Sequence, residues 1–221
     1  IWKGLVGSEM CIRDRLSDLL VSNVQGEEKQ SIESLLESLA GDDDEVKADA
    51  ITQLAKSGDL RLEKFFELYR QGSVYNWPDE EGKIRIVVNE ETIMDDDFNE
   101  FAPLLEPLSG NPFLVDGEQA KPDLFDLEDI SPGRSLRSLV NSSKFLLRLF
   151  SEDFEVRGSG VKKCGDPPFL PEAVPFLEEI ISNEDEVEKI RWMARESVSL
   201  MGLAGKLEGA NTLSDRADSL R

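Results

Sequence analysis

From Gln30 onward the apolar residues keep a helical period. Ile32, Leu35, Leu36, Leu39 and Ala40 fall at i, i+3, i+4, i+7 and i+8, and Gly41 follows as a stop. The cluster Asp42–Asp43–Asp44 then offers an N-cap and negative charge where a helix N-terminus favours both. Val46, Ala50, Ile51 and Leu54 make the next stripe before Gly58, and Leu62, Phe65, Phe66 and Tyr69 mark a third helix that ends at Gly72. Short helices parted by Gly/Asp turns, with a small Ala50 inside the middle stripe, have the form of HEAT-like hairpins, in which each unit buries its face only by stacking on a neighbour.

The period then changes to two. Ser73 to Trp77, a Pro78–Gly82 turn and Lys83 to Val88 read as a β-hairpin, with Ile84, Ile86 and Val88 on one face and Lys83, Arg85 and Val87 on the other. Between Asn89 and Ile130 the chain is acidic and broken by Pro103, Pro107, Gly110, Pro112, Gly117 and Pro122. Short strands are expected around Leu104–Leu108, Phe113–Val115 and Leu124–Leu127, with a turn at Ser109–Gly110–Asn111. A structureless connection of that length is unusual inside a compact domain, so 73–130 reads as a small β insertion.

Helical period returns at Ser131–Pro132, which reads as an N-cap and first-turn pair, with Leu136, Leu139, Val140, Leu147 and Phe150 on one stripe. Phe154 to Cys164 is the next helix by position, although Gly158 and Gly160 each cost it about 1 kcal/mol relative to Ala. Pro171 opens a helix carrying Val174, Leu177 and Ile181; Val187, Ile190, Ala194, Val198 and Met201 mark its longer partner, and Thr212 with Asp215 resembles a further capping box. The halves echo each other: Glu45–Val46–Lys47, Ile51 and Gly58–Asp59 correspond to Glu155–Val156–Arg157, Val161 and Gly165–Asp166. The fold class expected is mainly α, HEAT-like hairpins over 30–72 and 131–221 flanking the β insertion.

The first residues stand apart from this pattern. Leu5 to Arg15 (LVGSEMCIRDR) resembles one reading frame of a transposase adaptor used in sequencing libraries, so 1–15 is treated as adaptor-derived and left out of fold reasoning. The chain starts at Ile1 and stops at Arg221 inside an apparent helix, and both ends are expected to be cuts that leave a fragment. Leu16 to Gln25, within 16–29, reads either as the tail of an export signal or as an ordinary lead-in.

Charge and composition narrow the function. With 25 Lys+Arg against 46 Asp+Glu the chain carries −21, and leaving out 1–15 makes the balance one unit more negative. Such a charge repels phosphate backbones and anionic lipid, so binding to nucleic acid or to an anionic membrane surface is not expected. An apolar share of 39% is too high for a disordered acidic tail. The absence of histidine removes Ser-His and Cys-His pairs and imidazole ligands. Cys164 is the sole cysteine outside 1–15, which leaves no internal disulfide.

Each candidate for chemistry has a plainer reading. Asp95, Asp97, Asn99 and Glu106 occupy positions 1, 3, 5 and 12 of a calcium loop, but Glu100 replaces the turn glycine and Pro103 fits poorly, so chance spacing is preferred. Asp42 to Glu45 is better explained as capping. Lys162 and Lys163 could lower the pKa of Cys164, yet without a base or a third orienting group a buried or incidental thiol is preferred. Tyr75, Trp77 and Trp192 read as packing residues. No catalytic, cofactor-binding or metal-binding residue is assigned, and no cofactor or enzymatic activity is expected.

Four stretches, in this order, carry a family resemblance: Leu54–Asp59 (LAKSGD), Gly72–Tyr75 (GSVY), Leu105–Phe113 (LEPLSGNPF) and Leu127–Arg137 (LEDISPGRSLR). Together with helices, β insertion and helices over most of Ser31 to Leu203, they resemble the N-terminal extension of urea-type ABC transporter permeases, within the branched-chain amino-acid permease superfamily. The resemblance implies a non-catalytic region on the periplasmic face of the bacterial inner membrane, ahead of a membrane-spanning permease, with transporter subunits as protein partners. The alternative is a free-standing HEAT-like interaction scaffold, which would be cytoplasmic.

Overall fold

The helical stripes account for most of the architecture. The computed structural model describes residues 31–78 and 82–209; residues 1–15 and 16–29, part of the Pro78–Gly82 turn and the Thr212 start signal lie outside them. Among the described residues the chain is mainly α with small sheets. Helices α1 (Ile32–Ser38), α2 (Asp44–Lys56) and α3 (Arg61–Gln71) come first, and α4 (Arg134–Arg148), α5 (Phe154–Cys164), α6 (Val174–Ser182) and α7 (Glu188–Gly209) come last. Between them run β1 (Val74–Pro78), β2 (Ile84–Val88), β3 (Ile93–Met94), β4 (Glu100–Phe101), β5 (Leu114–Val115), β6 (Glu118–Gln119) and β7 (Glu128–Asp129).

Local chemistry sets the helix ends. The Asp43 carboxylate accepts from the backbone N–H of Glu45 (2.8 Å) and Val46 (3.4 Å), and Asp153 does the same at α5 for Glu155 (2.8 Å) and Val156 (3.3 Å). The two echoed segments therefore start with the same cap. Gly72 closes α3 in the left-handed region (φ 84), where an L side chain is costly. Helix α4 begins later than the sequence suggests. Gly133 is its N-cap, and Ser131, expected there, instead binds Asp129 through both its backbone N–H (2.7 Å) and its hydroxyl (2.5 Å).

Helix α4 packs on α2, α3 and α5, while α7 packs on α5 and α6. One core of buried side chains runs through them from Leu35 to Met201, with Leu62, Phe65, Phe66 and Tyr69 of α3 fully buried. Arg148 ties α4 to α3 through Glu63 (Nε 2.8 Å, Nη2 2.5 Å). Two stripe residues lie elsewhere than expected: Val46 and Val187 are exposed, in the first turn of α2 and just ahead of α7, and neither joins the core.

In the three-stranded sheet, ordered β2-β1-β7, both pairs are antiparallel; Val74 faces Val88 and Tyr75 faces Asp129. The sheet separates two cores. Ile86 and Val88 join the helical core, whereas Val87, on the other face, packs with Ala102 and Leu104 in a small second cluster flanked by Tyr75 and Trp77. The β5 strand falls within the expected Phe113–Val115 stretch. At Leu104–Leu108 there is no strand, only single bridges from Leu105 to Val88 and to Pro112, and Leu124–Asp126 is a 3-10 turn capped by the Asp123 carboxylate. Proline and capping aspartates give these short segments local hydrogen bonds that compete with ladders.

Candidate functional site

The calcium-loop spacing does not assemble. Asp95 sits in the β3–β4 turn, where its carboxylate accepts from Asn99 Nδ2 (2.9 Å) and the backbone N–H of Asn99 (2.9 Å) and Asp97 (2.8 Å). These bonds, the Asn99 side chain foremost, hold its pKa below the usual value. The same turn forces Phe98 to φ 68 and leaves it 81% exposed. Glu106 belongs to a separate turn and accepts from Ser109 Oγ (2.7 Å). Among the described residues no three His, Cys, Asp or Glu side chains are placed to hold a metal ion.

Cys164 is buried on α5, and burial pushes its thiol up to about 12 from 9.0. This reverses the effect that Lys162 and Lys163 would have had. Both lysines are exposed, and Lys163 pairs with Asp166 (3.0 Å). A thiol that stays protonated is a poor nucleophile. Tyr75 and Trp77 pack as expected, but Trp192 is 62% exposed and carries the Arg195 guanidinium 5.6 Å from its ring centre, a cation–π contact rather than core packing.

A buried ion pair joins the starts of α5 and α7. Arg157 donates to Glu186 through Nε (2.7 Å to Oε2) and Nη2 (3.0 Å to Oε1), and also to the Ser151 carbonyl. Glu186 accepts a third bond from the backbone N–H of Val187 (2.8 Å). With each charge met by the other and by backbone groups, the pair joins the two helices where they enter their packing.

Between those helices lies a groove of about 320 Å³. Ser197 Oγ on α7 donates to the Val161 carbonyl on α5 (2.8 Å), and the Arg157–Glu186 pair joins the helices' N-terminal ends, so they run side by side in the same direction. Phe154, Gly158 and Lys162 follow one another at four-residue steps on α5, and Val187, just ahead of α7, and Lys189 and Met193 on it face them. Lys163, Glu155, Ser159 and Ile190 also line it. The lining thus carries three lysines and one glutamate, in a chain whose overall charge is −21.

Fold and surface together define a helix-rich chain with a lysine-rimmed groove. No protein-family model, curated protein or solved structure matches it. The groove escaped the sequence reading because its lysines come from two helices far apart along the chain. The signal that was present is Gly158, a helix-interior glycine with a cost and no evident use.

Proposed function

We propose that this chain is a non-catalytic accessory domain of a urea-type ABC transporter permease, standing on the periplasmic face of the inner membrane and contacting transporter subunits through its helical stack. The observation that carries the reading is the order of elements. The four stretches that resemble the family fall at element boundaries: LAKSGD closes α2, GSVY opens β1, LEPLSGNPF forms the bridged turns beside Leu105, and LEDISPGRSLR leads from β7 into α4. In this reading α1–α3 and α4–α7 are two HEAT-like stacks, and the identical aspartate caps of α2 and α5 support a shared unit. The chain's negative charge keeps the domain off nucleic acid and anionic headgroups.

The test is to continue the reading frame past Arg221 in genomic DNA and then to measure solute uptake with the domain deleted from the intact transporter. Several apolar runs of about 20 residues are expected downstream, with altered uptake on deletion. A continuation free of such runs would defeat the permease reading and favour the cytoplasmic HEAT-like scaffold.

A further inference from the structure

Gly158 is buried in α5, yet nothing in the fold requires it to be glycine. Its backbone is ordinary helix, and a Cβ built there would meet Ile190 Cγ1 at 3.8 Å and Met193 Cε at 3.9 Å, normal contact distances. Gly160, two residues on, is the opposite case: its Cβ would lie 2.8 Å from Arg148 Cβ and 3.0 Å from the Phe145 carbonyl oxygen. What Gly158 does provide is space, since it forms part of the groove lining between Phe154 and Lys162.

The groove has a polarity that matches a particular visitor. Phe154, Val187 and Met193 give apolar surface around Gly158, and the rim carries Lys162, Lys163 and Lys189 beside Glu155, with Lys163 already paired to Asp166 (3.0 Å); Lys189 adjoins Ile190, which a Gly158 Cβ would meet, and Lys162 lies one turn further along α5. Among the described residues Lys162 and Lys189 have no ion-pair partner. From residue 154 to residue 162 the helix rises about 12 Å, the span of roughly four residues of extended chain.

We propose that the α5–α7 groove docks a short extended acidic segment of a partner protein, seating one bulky apolar side chain over Gly158 between carboxylates that meet Lys189 and Lys162. The chemistry stands on the groove alone and does not depend on the permease reading. A partner segment is favoured over a second copy because two whole chains of −21 repel each other, whereas a segment brings only a few charges. The chain's own acidic tip around Phe98 has the matching chemistry, so self-association is one outcome to be tested.

A random heptapeptide library displayed on phage and selected on the immobilised full chain tests this directly. Selected peptides should carry Asp or Glu on both sides of one Phe, Leu or Trp, and synthetic copies should bind more weakly as salt rises. Their affinity should fall at least tenfold in Gly158→Leu, which fills the groove, and in the double variant Lys162→Glu/Lys189→Glu. Gly158→Ala, expected to fold at least as well as the parent, controls for damage to α5, and circular dichroism checks that each variant is folded. Selection of no such peptides, or equal binding by folded Gly158→Leu, overturns the proposal. A concentration-dependent oligomer in sedimentation that both groove variants dissolve would overturn the partner assignment in favour of a second copy.

Discussion

Gly158 and Gly160 sit two residues apart in α5 and face different neighbours, so substituting each should move stability in opposite directions. Gly158→Ala relieves the helix of a flexible residue without a clash and is expected to stabilise by about 0.5–1 kcal/mol. Gly160→Ala pushes a methyl into Arg148 and the Phe145 carbonyl of α4, and is expected to cost about 1–3 kcal/mol. Urea unfolding of the two variants beside the parent measures both; equal shifts would show that the α4–α5 approach is not as close as described. Sequence reading registers the propensity cost of the two glycines but cannot distinguish them, because the distinction lies in which helix each one faces. Cys164 makes the same point: its lysine neighbours are visible in the sequence, and the burial that overrides them is not.

At the scale of elements, α1 to α3 are legible because their apolar stripes and their stops agree. Phe66, read as core from period alone, is fully buried among α3's other aromatic residues, with the Phe65 ring 6.1 Å away. Phe66→Ala is expected to lower stability by about 3–5 kcal/mol in denaturant unfolding, and a variant as stable as the parent would refute its place in the core. The short strands were less legible. Two-residue pairs such as β3–β4 leave no periodic trace, and Leu124–Leu127, apolar enough for a strand, turns because Asp123 caps it. The start of α4 moved from Ser131 to Gly133 because Asp129 takes up the Ser131 hydroxyl. For the candidate site, the acidic spacing at Asp95 to Glu106 was visible and does not converge, whereas the lysines of the groove converge only after α5 and α7 have packed.

For the whole molecule, the larger core contains residues from all seven described helices as well as Val74, Ile86, Val88 and Ile130 of the β region. Neither helical half can expose its stripe without breaking contacts in the other, so heating the full chain should give one calorimetric transition over these residues, with matching calorimetric and van't Hoff enthalpies. Two resolved transitions would show that the β insertion uncouples the halves. The sheet that joins them is also poorly suited to growth. Helix α1 contacts β2, Leu105 bridges its Val88 end, and the outer strand β7 consists of Glu128 and Asp129 alone. At the β7 edge a strand arriving from another molecule would find only two acidic residues to pair with, so concentrated protein should resist edge-to-edge aggregation through that side of the sheet.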